Sequence, residues 1–287
     1  MKTKVLWILS IGLIGLILTS SIAPVRGAYG VDVGDTFTYT INKASGDFNY
    51  KTNATTVTSS TSGYALGDDV VTVGSKLLVN VTAVTIASVT FNISSGSVSI
   101  EESTTAFSLF GLLGVMILPI LVLSDDIEFE ATDGISFGQW MFFLPSDTDW
   151  DDFIEDWNVS EDLFNDTSSG ELKVTAGSVL ENSDRDIRFW LSMVGTYIND
   201  TEEIDLTADH RVMFAYDTSS GVLLGYRIST DVTGTFEGTS TTFKLNLEVI
   251  RDQYSLPGFP GLSTSGFELF LILTSLFLLL PIYRRKR

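Results

Sequence analysis

The chain has no cysteine and a single histidine in 287 residues. Without cysteine there is no disulfide framework, no thiol nucleophile and no lipid anchor carried on an N-terminal sulfur. One imidazole and no thiolate leave too few donors for a zinc or redox-metal site. Cations are scarce as well: 17 Lys and Arg stand against 36 Asp and Glu, a formal net charge of −19. That balance repels phosphate backbones and anionic lipid surfaces, so nucleic acid is not an expected partner. Neither a phosphate loop nor a dinucleotide fingerprint occurs, and no cofactor is expected.

What is present is organised by the two ends. Lys2 and Lys4 precede the apolar run Val5 to Leu18, and Thr19, Ser20, Ser21 and Ala23 follow. A charged start, an apolar middle and a small-residue exit read as a secretory signal over residues 1–27, cut between Ala23 and Ala28. The same segment retained as a signal anchor is the alternative, and in both cases the following residues are exported. At the other end Leu256-Pro257-Gly258-Phe259-Pro260-Gly261 leads through small residues into Phe267 to Ile282, interrupted only by Glu268. Counted from Gly266 to Tyr283, this run is about long enough to cross a bilayer. Arg284, Arg285, Lys286 and Arg287 follow it and belong on the cytoplasmic side. The expected order is a signal peptide (1–27), an acidic β-rich extracellular domain (28–252), a linker (253–266), a transmembrane helix (267–283) and a basic cytoplasmic tail (284–287). The bulk then lies outside the cell, held by one membrane span.

Pro257-Gly258-Phe259, the apolar helix and the basic cluster resemble the PGF-type sorting signals of archaeal surface proteins. The resemblance implies a membrane-embedded, sortase-like protease as a partner that reads the triplet and can replace the helix with a lipid. Here a second Pro260-Gly261 and five small residues separate the triplet from the helix.

Residues 28–252 hold 35 of the acids and ten of the Lys and Arg, a formal charge of about −25. A solubilising acidic surface is the simplest reading of that excess. Six of the ten asparagines stand in Asn-x-Ser/Thr: Asn53, Asn80, Asn92, Asn158, Asn165 and Asn199. Chance in a Ser/Thr-rich chain would give about two, so the excess predicts a glycosylated exterior.

Alternation of polar and apolar residues predicts strands over Thr36 to Ile41, Lys76 to Thr85, Ile86 to Ile93 and Ser97 to Ile100. Ala106 to Leu123 is then apolar apart from Ser108. Length alone permits a second span. Acids at both ends, sequons on both sides and the positive-inside bias of Arg284 to Arg287 argue for burial in the extracellular domain, or for the cap of an apolar cavity. Ile127 to Ala131 alternates again, and Phe137 to Leu144 is aromatic and apolar. Ser146 is placed to cap a helix with Asp147, Asp149, Asp151 and Asp152 in its first turns. Trp150, Phe153, Ile154 and Trp157 fall on one face of that helix. Leu172 to Leu180 and Ile187 to Ile198 read as strands. Val212 to Tyr216 and Val222 to Thr230 read as a hairpin closed by Asp217 to Gly221. Gly234 to Ser240 reads as a turn region and Thr242 to Ile250 as the last strand. The expected class is α+β, mostly β: an antiparallel sheet with one or two helices.

Tyr216 to Leu224, together with Val33-Gly34-Asp35-Thr36-Phe37-Thr38-Tyr39, resembles the extracellular domains of archaeal choice-of-anchor surface proteins. That resemblance implies a shared body with a variable tether, and location more than chemistry. The same hairpin is similar to the half-barrel of bacterial lipoprotein carriers, which implies a sheet wrapped round an apolar cavity. In that arrangement Phe107, Leu113, Met116, Trp150, Phe153 and Trp157 would line the ligand.

Two catalytic or metal patterns are formally present. Gly134-Ile135-Ser136-Phe137-Gly138 fits a nucleophile elbow, with Asp184, Asp200, Asp205 and His210 downstream in the permitted order. The strand–helix alternation of that fold is missing, and His210 reads more simply as a turn or surface residue at a strand entrance. Asp147-x-Asp149-x-Asp151 resembles the start of a calcium loop. Asp152 stands where the turn glycine belongs and Asn158 where the bidentate glutamate belongs; a helix-start acid cluster explains the same residues. Three functions are therefore carried forward. The first is a surface protein with a structural or interaction role and no enzymatic activity. The second is a module binding a lipid or other apolar ligand, and the third a serine hydrolase using Ser136.

Overall fold

A computed structural model describes residues 29–51, 56–105, 134–136, 138–145, 150–151, 173–180, 186–199 and 203–259. Twelve strands lie among them: β1 Thr36–Lys51, β2 Thr56–Ser62, β3 Tyr64–Leu66, β4 Asp69–Val71, β5 Lys76–Val84, β6 Ser88–Ser95, β7 Val98–Thr105, β8 Lys173–Leu180, β9 Asp186–Asn199, β10 Ile204–Asp217, β11 Leu223–Phe236 and β12 Thr239–Arg251. Ten of them form one antiparallel sheet in the order β7-β6-β5-β1-β12-β11-β10-β9-β8, with β2 paired to β1; β3 and β4 form a small hairpin. The class is mostly antiparallel β. The one or two helices of the α+β expectation reduce, among the described residues, to a turn of 3-10 helix at Gln139–Phe142 and helical backbone at Trp150 and Asp151.

β1 organises the sheet. One of its edges pairs with β12 from Tyr39 to Asn49. The other edge forks: Thr36 to Thr40 pair with β5, and Ser45 to Lys51 with β2. The alternation that starts at Tyr39 and Ile41 would turn Ala44, Gly46 and Phe48 outward. A bulge between Ile41 and Lys43 corrects the phase. Asn42 and Lys43 both face out, and Ala44, Phe48 and Tyr50 return to the core.

The sheet is curled. Phe91 of β6 packs against Phe142 and Phe143, with ring centroids 6.0 and 4.9 Å away. Tyr216 of β10 donates its phenol to the Met141 carbonyl at 3.0 Å. β6 and β10 stand five places apart in the sheet, about 24 Å if it were flat. One 3-10 turn can meet both only if the sheet wraps round it. Strands therefore have an inner face that encloses Ile135 and residues 141–144 and an outer face that carries their polar side chains.

Turn chemistry fixes the register. Glu237 and Gly238 have φ of 47° and 70°, a two-residue loop of the kind that matches strand twist. β11 and β12 therefore run to within two residues of each other, and the expected turn region Gly234 to Ser240 is mostly strand. The Asp217 to Gly221 turn is where expected. Asp217 accepts from the Ser219 and Ser220 backbone N–H groups at 3.0 and 2.9 Å. Burial works against its charge, but the hydrogen bonds from Ser219 and Ser220 win, and its pKa is lowered. Gly221 closes the turn at φ 69°, and a Cβ there would stand 1.9 Å from the Leu144 carbonyl oxygen. Gly221→Ala is expected to cost at least about 1–3 kcal/mol in urea denaturation; an unchanged midpoint would mean that Leu144 does not pass under this turn.

Candidate functional site

Two places in the fold combine unusual packing with chemistry: the inner face around residues 135–144, and the outer face where the chain leaves β12.

The inner face is apolar and occupied. Ile135, Met141, Phe142, Phe143 and Leu144 are all buried. The segment is stitched in at several points. Ala65 donates its N–H to the Ile135 carbonyl and Ile135 donates to the Gly63 carbonyl; Gln139 Nε2 donates to the Ala65 carbonyl at 2.7 Å. Phe143 bridges Val222, and Leu144 donates to the Gly221 carbonyl at 2.7 Å. Gly46 matters here because an added Cβ would stand 2.5 Å from Ile135 Cδ1.

Buried phenols ring this segment. Tyr39 donates to the Leu223 carbonyl at 2.8 Å. Burial pushes the Tyr64 phenol up to about 12 and holds Tyr39, Tyr216 and Tyr226 above their ordinary value. In the unfolded chain these groups ionise near pH 10. Above that pH the unfolded state has released protons that the folded state keeps, so stability falls as pH rises. Their contribution is complete below about pH 10 and is lost progressively from there through the folded-state values. Phenolate absorbance of these groups is expected to rise together with loss of the β-sheet signal. Phenolate formation by them in a chain that is still folded would contradict their burial.

The outer face carries a strap. After β12 the chain turns at Gln253, φ 69°, and residues 254–259, read from the sequence as the start of a linker, pack back on the sheet. Leu256 is 6 % exposed and forms an apolar cluster with Met213 and Ala215, joined by Trp190, Leu224, Ile250, Tyr254 and Phe259. Tyr254 donates its phenol to Asp186 at 2.8 Å. Arg227 holds the triplet: its Nη1 donates to the Pro257 carbonyl at 2.9 Å, and its guanidinium lies over the Phe259 ring at 5.7 Å. Glu248, largely buried, pairs with Arg227 Nε. A hollow of about 350 Å³ beside the strap is lined by Lys43, Arg211, Arg227, Ser229, Asn246 and Phe259.

The residues singled out in the sequence are distributed as follows. Pro257, Gly258 and Phe259 form the strap. Asn80 and Asn92 lie directly opposite each other on β5 and β6, on the outer face. Asn199 ends β9. Trp150 packs against the core and donates to the Thr218 carbonyl at 3.0 Å. Ser136 follows Ile135 and is half-buried. It is not among the described non-glycine residues with positive φ, which are Glu203, Glu237 and Gln253. His210 is not a surface residue: it is fully buried in the middle of β10, with Nδ1 2.8 Å from Thr230 Oγ1. The row Gly46, Leu245, Thr230, His210 runs across four strands. It puts His210 roughly 14 Å along the sheet from the glycine that Ile135 covers. Asp151 is exposed. Asn53, Phe107, Leu113, Met116, Asp147, Asp149, Phe153, Trp157, Asn158 and Asn165 lie outside the described residues, as do residues 1–28, 106–133 and 260–287. Among the described residues, no group of three His, Cys, Asp or Glu is placed to hold a metal, and no helix is long and apolar enough to cross a membrane.

Sequence reasoning missed Arg227 and Glu248. Arg227 stands seventeen residues after His210 and Glu248 nine before Pro257, both on strands read only for their alternation. The available signal was a cation and an acid on the polar phase of two adjacent strands. The geometry describes a curled antiparallel β domain with an occupied interior and a docked C-terminal strap. No protein-family profile, no characterised protein and no solved structure matches the chain.

Proposed function

We propose that this protein is a membrane-anchored, glycosylated surface protein of archaeal type with a structural or interaction role. In this reading residues 1–27 export the chain, residues 267–283 hold it in the membrane as a helix, and residues 284–287 stay inside. The observation that supports it most is the occupied inner face: Ile135 and Met141 to Leu144 fill with the chain's own side chains the place where a carrier would hold its ligand. The outward Asn80 and Asn92 are accessible positions for sugar, and the strap carries the chain toward the apolar run. Triplet recognition by a sortase-like protease, with exchange of the helix for lipid, belongs to the same reading.

The test is surface proteolysis of intact cells followed by mass spectrometry. Protease is expected to remove residues 28–252 while sparing the basic tail, and peptides containing Asn80 or Asn92 are expected to carry glycan mass. A clipped tail with a protected body would invert the topology and end the proposal. Native mass spectrometry of detergent-free material addresses the carrier reading: a stoichiometric co-purifying lipid would replace the structural role with a binding one. A fluorophosphonate label lost in Ser136→Ala would do the same for the hydrolase.

A further inference from the structure

The strands at the margins of the sheet are guarded unequally. β7 carries Glu101 and Glu102, and β8 opens on Lys173. Charge on a marginal strand is one of the devices that keep another chain from adding to it; proline and bulges are others. β2, Thr56-Val57-Thr58-Ser59-Ser60-Thr61-Ser62, has none of the three. It pairs with β1 over its whole length without a register shift. Its side chains are exposed or half-buried throughout, and among the described residues no strand pairs with its other edge. About half of its backbone N–H and C=O groups point to that edge.

A second copy of the same chain fits there. Laid antiparallel about a twofold axis through Ser59, two β2 strands set Thr56 opposite Ser62, Val57 opposite Thr61 and Thr58 opposite Ser60 of the other copy. Each pair joins outer side chain to outer or inner to inner, and none is charged. Two chains of formal charge −19 repel wherever acids meet. β1 and β2 together hold one acid, Asp47, which lies beside Ser60. Three strand spacings and a stagger of two residues put it roughly 16 Å from its counterpart, about two Debye lengths at physiological salt. The axis of such a pair stands perpendicular to the sheet, so both outer faces lie on one side. The strap docks on that face, its Phe259 sharing a hollow with Lys43 of β1. Both straps therefore leave on the same side, as two chains held in one bilayer must.

We propose that β2 is a homotypic edge, through which two copies anchored in one membrane pair into a continuous antiparallel sheet. This gives the interaction role a partner, and its strength rests on the anchored reading. Seven residues a side make a small contact, weak in dilute solution. Shared anchoring supplies the effective concentration that populates it.

The absence of cysteine makes the test clean, because one introduced cysteine gives one thiol. Full-length protein carrying Ser59→Cys, or Ser99→Cys on β7 as the control, is reconstituted into vesicles and oxidised. Directly opposed antiparallel residues have Cα atoms about 4.5–5.5 Å apart, within disulfide reach. Disulfide-linked dimer is expected to form severalfold more from residue 59 than from 99. Adding Thr58→Lys and Ser60→Lys to the Ser59→Cys chain sets like charges opposite each other across the axis, and is expected to lower linkage to the control level. Mixing that chain with one carrying Ser59→Cys, Thr58→Glu and Ser60→Glu is expected to restore it. Residues 58 and 60 are exposed, so the sheet is expected to be retained, which circular dichroism checks. Equal yields at 59 and 99 overturn the proposal, as does a yield at 59 that the lysines leave unchanged or a mixture that stays unlinked. Flotation of the same samples separates the two ideas: protein that floats with vesicles but links no better than the control defeats the pairing alone. Protein that fails to float defeats the anchored reading, and the same oxidation of concentrated detergent-solubilised protein then decides the pairing.

Discussion

Phe142→Ala is expected to lower folding stability by about 3–5 kcal/mol, the range for deleting a fully buried aromatic ring. Phe142 lies in the segment round which the sheet curls, and its ring packs between two strands of that sheet. Its ring meets Tyr39 of β1 edge-on at 4.8 Å and Phe91 of β6 at 6.0 Å. Each such pair adds about 0.5–1.5 kcal/mol beyond area burial. The turn that carries it also accepts the Tyr216 phenol from β10. Truncation leaves a void beside Tyr39 and Phe91, whose strands are held by their ladders and cannot close it. Chemical denaturation of the purified protein measures the loss. A change below about 1 kcal/mol would mean that the inner segment is not part of the cooperative fold, and the occupied interior would lose its meaning.

The second large effect is expected at Arg227. Removing one partner of a largely buried ion pair costs about 3–5 kcal/mol, because the other charge is left without compensation. Glu248 is 7 % exposed, so Arg227→Ala leaves its carboxylate with no ion-pair partner among the described residues and only the Asn42 amide, 3.1 Å away, donating to it. The same change removes the donor to the Pro257 carbonyl and the cation over Phe259, so residues 254–259 are expected to become cleavable by chymotrypsin under native conditions. Replacing both charges, Arg227→Met with Glu248→Leu, is expected to recover much of the stability but not the protection of the strap. A loss below about 1 kcal/mol for Arg227→Ala would place the pair with exposed salt bridges, and unchanged protease resistance would show that Leu256 and Tyr254 hold the strap without it.

The strands were legible wherever alternation was clean. Thr36 to Ile41, Lys76 to Thr85 and Thr242 to Ile250 carry period-two patterns because one face of each is buried and the other is wet. The Asp217 to Gly221 turn was legible because its side chains bond to its own backbone. β1 beyond Ile41 was not legible, because a bulge resets the phase and a fixed period then reads as noise. The first half of β10 was hidden for a related reason: its inner row includes Ala208 and His210, which look polar or small out of context. His210 is buried only because Thr230 on the next strand meets its ring, a pairing across 20 residues that no local pattern carries. Glu237-Gly238 was swallowed by the glycine and threonine around it. For the candidate site, the triplet was readable as a motif, but its docking was not. The residues that grip it come from β11 and β12, and only the register of the sheet brings them to it.

The position of β12 has a mechanical consequence. In the proposed anchored reading, a tether that continues from residue 259 pulls on a strand flanked by β1 on one side and β11 on the other. Drag on the cell exterior would then load two rows of interstrand hydrogen bonds at once, along the strand axis, and could not peel them singly from a free edge. The strap adds a weaker fuse in series: it would tear from its cluster first, lengthening the leash before the sheet bears any force.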